Sequence, residues 1–210
     1  MKEKHNFWCY RSPVEMSQTA QSLFLFGAEI FRGAYIVENR NKLKDLLTVN
    51  PQQPHEQDFI NNVLFNDLVD KIKILIFLEN HMKARLIVTG HVAHIIDKNQ
   101  LPELNKLQKK HPITVKEITE HCQIEINTEQ NQIFISELSG NTLQLSTLIH
   151  KKDYVEVIEL DDRILTFCET LRKDRNKLHF HTSITTSLSH EYISNISLID
   201  EMIDEYLTIR

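Results

Sequence analysis

The densest run of chemistry-bearing side chains is Leu171-Arg172-Lys173-Asp174-Arg175-Asn176-Lys177-Leu178-His179-Phe180-His181, which brings together four cations, one acid, one amide and two imidazoles. A histidine poised near neutral pH gives or takes a proton, and a guanidinium fork holds an anion in two-pronged fashion. The run ends a strongly helical stretch whose apolar residues Val157, Leu160, Ile164, Cys168 and Leu171 share one face. Four residues beyond Leu171, Arg175 lies on that same stripe, so a cation occupies a position that the pattern predicts as buried or interface-facing. A plainer reading also exists, because cations near a helix C-terminus favour the macrodipole without any catalytic duty.

A second constellation is His91-Val92-Ala93-His94 with Asp97. On a helix, histidines at i and i+3 can share a metal ion and a carboxylate at i+6 can assist. Such a site needs a third strong ligand from elsewhere, with His81, His150 or Glu120 as candidates, and solvated histidines are the simpler expectation. Cys168 lies mid-stripe, where a core thiol is expected rather than a nucleophile. Lys106, Lys109, Lys110, Lys116 and His111 form a basic stretch that suits a solvated face or a nucleic-acid backbone. Glu79 falls on the packing stripe of its helix and is a candidate partner for Arg175, an exposed or simply capped glutamate being the plainer expectation.

The elements that must position these groups follow from composition and periodicity. At 210 residues and 24.7 kDa, with 41% hydrophobic and 25% charged residues, the chain has the make-up of a globular protein with a core of its own. Only 4 Gly and 5 Pro favour long helices over turn-rich β architecture, and no GxGxxG or GxxxxGK[ST] motif supplies a phosphate cradle. Three cysteines without CxxC spacing argue against a disulfide framework, and the residues MKEKHNFWCYRS hold no apolar signal region, so a cytoplasmic protein is expected. A net charge of -5 disfavours wholesale coating of nucleic acid while leaving room for a local basic site.

Ser12-Pro13-Val14-Glu15 reads as a helix start, and the helix is predicted to run to Asn50-Pro51. From about Phe59, the positions Ile60, Leu64, Leu68, Ile72, Leu75, Met82 and Leu86 predict a second long helix reaching as far as Ile96, with Gly90 able to end or kink it. A short helix is predicted at Leu101–Leu107 and a short turn at Pro112–His121. A β-hairpin is predicted at about 122–137, where Ile124, Ile126, Ile133 and Ile135 alternate with polar residues. Residues 138–150 are ambiguous, Lys152–Leu178 reads as one helix, and Ser189–Leu207 as another. The expected fold is mainly α: one domain over 1–210, an antiparallel bundle of four to five helices with the hairpin inserted.

The text Arg175-Asn176-Lys177-Leu178-His179-Phe180-His181 resembles the mark of the HEPN family of helical-bundle proteins, an Arg followed after four to six residues by His, often with Asn directly after the Arg. Spacing alone is a weak signal, since composition gives about one such pair by chance, and Arg85 to His91 matches it too. The Arg-Asn dipeptide and the position near the end of a long helix single out the later pair. The stretch Phe77-Leu78-Glu79-Asn80-His81-Met82-Lys83-Ala84-Arg85-Leu86 is similar to second-helix text of the family. The resemblance covers about 56–96 and 152–182 and does not account for the hairpin. The commonest family spelling puts its His at the position of Phe180, between the two imidazoles, so His181 is favoured on spacing and His179 stands beside it. The resemblance implies a HEPN-like bundle and a metal-independent, cofactor-free endoribonuclease. It also implies a homodimer, a toxin–antitoxin or antiviral defence setting, an RNA substrate, and an antitoxin or sensor protein as partner. On that reading Arg175, His181, Asn176 and His179 are catalytic and Arg172, Lys173 and Lys177 bind RNA. A non-catalytic RNA- or protein-binding module and a helical-bundle metalloprotein are the alternatives.

Overall fold

The computed structural model describes residues 5–8, 18–46, 54–99, 101–120, 125–127, 132–135, 138–177 and 189–208. Among them the chain is mainly helical with small antiparallel sheets. The order is β1 (His5–Trp8), α1 (Gln18–Arg32), α2 (Tyr35–Leu46), α3 (Pro54–Val88), β2 (His94–Ile96), α4 (Pro102–Gln108), α5 (Val115–Thr119), β3 (Glu125–Asn127), β4 (Gln132–Ile135), β5 (Leu138–Thr142), α6 (Leu145–His150), α7 (Lys152–Ile158), α8 (Asp162–Lys177) and α9 (His190–Thr208). No helix among the described residues is long and apolar enough to cross a membrane. Where the sequence suggests one domain over 1–210, backbone contacts group the chain into two compact units, residues 1–25 with 79–160 and residues 26–78 with 161–210.

In the unit of residues 26–78 and 161–210, the first predicted helix is broken in two. The Ser12 start signal lies outside the described residues, and α1 stops at Arg32 before Gly33 and Ala34. The cause is a tertiary one. Asp70, buried on α3, accepts from the Tyr35 and Ile36 amides at 3.1 and 2.9 Å, while Lys73 donates to the Gly33 carbonyl at 2.8 Å. A carboxylate from another helix therefore caps α2, offsetting the loss of intrahelical partners at its first turn. Ser189 caps α9 locally, its hydroxyl accepting from the Tyr192 amide at 3.1 Å. Ile193, Ile196, Ile199 and Ile203 then form the buried face of α9, and Ile164, Phe167, Cys168 and Leu171 that of α8. Phe31 and Phe77 meet in the same core with ring centroids 5.5 Å apart.

In the unit of residues 1–25 and 79–160, the predicted hairpin is present as β3 paired antiparallel to β4, Ile126 opposite Ile133. The sequence did not reveal that β1 pairs on the other side of β4, giving the order β1-β4-β3, or that β2 and β5 form a second sheet. The second helix does not reach Ile96. It ends at Val88, and Gly90 follows with φ 81°, a conformation glycine adopts without strain. The predicted Lys152–Leu178 helix is likewise interrupted, because Glu159 takes a left-handed φ of 54° between α7 and α8. Arg85 fastens that turn, donating to the Ile158 carbonyl at 3.1 Å and to the Glu159 carboxylate at 3.0 Å. The core beside β2 gathers Val92, Ile96, Leu104, Ile113 and Ile118. Its polar groups are matched in place. Gln108 accepts from the Ile96 amide and donates to the His94 carbonyl, Asn105 donates to the Ile96 carbonyl, and the Tyr154 hydroxyl donates to the Gln108 carbonyl at 2.9 Å.

Candidate functional site

Helix α8 begins with a local cap, the Asp161 carboxylate accepting from the Arg163 amide at 2.7 Å, and exchanges an apolar face for a charged one over its last two turns. Glu169 holds the Arg172 fork at 2.7 and 2.9 Å and lies 3.5 Å from the Lys173 ammonium. Asp174 reaches the Lys71 ammonium at 3.1 Å. Arg175 is half-buried, in line with its place on the stripe, and has no ion pair among the described residues. Asn176 beside it is also half-buried. The structure thus gathers Arg172, Lys173, Arg175 and Asn176 at one end of α8. Lys177 is the last residue of that helix. His179 and His181 lie outside the described residues, two and four positions further along the chain.

Lys71 is the centre of a cluster that periodicity missed. The predicted stripe on α3 put Ile72 inside, yet Ile72 is 36% exposed and Val69 44%, while Asp67, Asp70 and Lys71 are all under 6%. The buried face of this stretch of α3 is therefore rotated onto charged residues. Lys71 lies 2.9 Å from Asp67 on its own helix and 3.1 Å from Asp174 on α8, with its ammonium 5.5 Å from the Tyr192 ring centroid. The Asp67 carboxylate interacts with both the Lys71 ammonium and the Tyr192 hydroxyl. Burial pushes the Asp67 carboxyl above its ordinary range, against the pull of Lys71. Burial also drives the Tyr192 phenol well up, reinforced by the Asp67 charge. The spacing of Asp67 and Lys71, an i,i+4 pair flanked by apolar residues, was the available signal.

Lys71, Asp174 and Tyr192 of this cluster line an open cleft of about 460 Å³. Thr166, Thr170 and Asp174 line it from α8, and Tyr192, Ser194 and Asn195 from α9. Asp162, Arg163 and Glu191 also face it, so both hydrogen-bond donors and carboxylate acceptors surround the space.

The other constellations have structural explanations. His91, His94 and Asp97 follow the end of α3 instead of riding on it, His91 in an isolated bridge to Thr114 and His94 in β2, so their helical spacing is lost. Among the described residues no group of three or more His, Cys, Asp or Glu is placed to hold a metal ion. Arg85, the other arginine with the Arg–His spacing, is engaged by the α7 turn. Glu79 pairs with Lys83. Cys168 is fully buried in the core. Lys106 lies 3.1 Å from Glu103, and His111 lies 3.4 Å from Glu117. His81 stacks edge-on to Phe24 at 5.4 Å, and burial lowers its pKa to about 4, with Arg85 adding to the effect.

Comparison of the chain with known protein families, with curated proteins and with solved structures finds no match.

Proposed function

We propose that the chain is a HEPN-like helical bundle acting as a metal-independent endoribonuclease, with Arg175 as its anion-binding centre. One observation carries this reading. Arg175 is half-buried in the last turn of α8 without an acidic partner among the described residues, while Arg172 beside it is clamped by Glu169. A half-desolvated guanidinium of this kind favours an anion supplied from outside. The histidines follow directly in the sequence.

In the proposed reaction, the imidazole of His181, with His179 as the alternative, takes the proton of an RNA 2′-hydroxyl. The freed oxygen attacks the adjacent phosphorus, and Arg175 holds the non-bridging oxygens as negative charge builds on the phosphorane. The bond from phosphorus to the 5′-oxygen breaks, and that oxygen receives a proton from an imidazolium. The products are a 2′,3′-cyclic phosphate and a 5′-hydroxyl. Asn176 orients the phosphate or the imidazole. Because the Arg172 fork already serves Glu169, backbone contacts to RNA fall chiefly to Lys173 and Lys177. A homodimer that joins two such helix ends, a cytoplasmic toxin or defence role and a controlling antitoxin or sensor protein belong to the same reading.

The test is cleavage of a mixed-sequence RNA by the full chain in excess chelator. Cyclic phosphate ends, loss of activity in Arg175→Ala and in one of His179→Ala or His181→Ala, and inert 2′-deoxy substrate are the expected results. Unchanged cleavage in the Arg175 variant and in both histidine variants overturns the proposal. RNA binding without turnover in the native chain would leave a binding module instead.

A further inference from the structure

The cleft along α8 ends one residue before Arg175, and its walls carry a specific assortment of groups. Thr166, Thr170 and Asp174 recur every four residues and so share one face of the helix. Thr166 and Thr170 are exposed, and the Thr170 hydroxyl donates to the Thr166 carbonyl at 3.1 Å, which leaves its oxygen able to accept. Lys71 borders the space and is ion-paired with Asp67 and Asp174 at 2.9 and 3.1 Å. The Tyr192 hydroxyl, buried with its ring, interacts with Asp67. Carboxylates outnumber cations here: Asp162, Asp174 and Glu191 face the space against Lys71 and Arg163, and Arg163 is itself paired with Asp161.

We propose that this cleft is a nucleobase pocket selective for guanine, placed beside Arg175 so that the base is read as its phosphate is held. The assignment rests on the ribonuclease reading for its substrate class and on the cleft for its choice of base. A space of about 460 Å³ is within the range of small-ligand sites and takes a planar heterocycle with part of its sugar. A pocket rich in carboxylates suits the base with the most N–H groups on its pairing edge. Guanine presents its N1 hydrogen and 2-amino group to the carboxylates that line the cleft, Asp162, Asp174 and Glu191, and its O6 to the Lys71 ammonium. Adenine and cytosine present one amino group each. Uracil turns a carbonyl toward the carboxylates on both sides of its single N–H, so it is the base disfavoured most. Acidic walls also repel phosphate, which directs the base inward and leaves the backbone to Arg175 and the lysines beyond it.

Titrating the full chain with guanosine, adenosine, cytidine and uridine by calorimetry or NMR reads this selectivity without any need for turnover. Guanosine is expected to bind at least about fivefold more tightly than uridine, the low end of one good two-pronged base contact. Thr170→Trp fills the cleft from an exposed helix position and is expected to abolish guanosine binding with thermal stability kept. Asp174→Asn is expected to remove the preference, and Thr170→Trp covers the case in which loss of the Lys71 ion pair unfolds the Asp174 variant. Equal binding of the four nucleosides, no binding of any, or binding unaffected by Thr170→Trp overturns the pocket. Those outcomes are independent of the Arg175 result: RNA cleavage without nucleoside selectivity removes the pocket and keeps the nuclease, and guanosine selectivity without cleavage does the reverse.

Discussion

Gln108 and Lys71 are both buried polar residues, and the groups around them are arranged to opposite ends. Gln108, Asn105 and Tyr154 terminate on backbone carbonyls or amides, and Arg85 on a backbone carbonyl and the Glu159 carboxylate, so their hydrogen bonds hold strands and turns in position. Lys71 and Asp174 terminate on a cleft, and Arg175 on no described partner. Buried polar groups are costly unless paired. Groups that end on the backbone report stability; charged groups that border a cleft mark the part of the molecule able to meet a ligand.

The largest effect that tests this contrast is Arg175→Ala. RNA cleavage should fall about 10²- to 10³-fold, as for loss of one donor to a developing charge, while the unfolding free energy moves by no more than about 0.5 kcal/mol; a large stability loss would place Arg175 with the structural group. Next in size is a pH effect that separates the two regions. The folded His81 pKa of about 4 lies below the unfolded value of 6.5, so between these the unfolded chain binds more protons and stability falls as pH drops. The loss approaches about 3 kcal/mol by pH 4. Asp67, raised by the same burial, has the reverse slope: its contribution weakens as pH rises through its folded value. Denaturant titrations from pH 7 to 4 should show the His81 slope in the native chain and its absence in His81→Leu.

Gln108→Ala comes third. It strands the Ile96 amide and the His94 carbonyl together, and a urea melt should register a loss of about 2–3 kcal/mol. Smallest is Arg85→Ala, expected to cost about 1–2 kcal/mol through the loosened turn at Glu159. Cleavage per folded molecule should stay unchanged in that variant. A catalytic defect there would erase the distinction between the two arginines, which share the same spacing to a histidine.

How much of this was legible in the sequence depends on whether the decisive forces were local. The stripe of α8 and the start of α9 were readable because Ile164, Cys168 and Leu171 and the Ser189 cap act within a few residues. The β3–β4 hairpin was readable from its alternation, whereas β1 was not, since its pairing with β4 joins residues more than a hundred positions apart. The sequence left the end of α3 open between Gly90 and Ile96, and the glycine at φ 81° marks the earlier stop. The face of α3 near residue 70 was misread for a more instructive reason. Hydrophobic pattern put Ile72 inside, but Asp70 is drawn inward to cap α2 and Lys71 to join Asp67 and Asp174, and these contacts outrank burial of one isoleucine. At the candidate site, Arg175 and Asn176 were legible from their dipeptide and stripe, and the cleft beside them was not, because it is built from three helices that only folding brings together.

The borrowed cap on α2 also sets an order of events. Twelve residues with Asn39 and Asn41 among them make a helix too short and too weak to persist alone, so a peptide of residues 35–46 should be coil in water. Its first turn closes only when Asp70 arrives already mounted on α3. In refolding kinetics α2 would then be a late arrival, and Asp70→Ala would accelerate unfolding while leaving the folding rate nearly untouched.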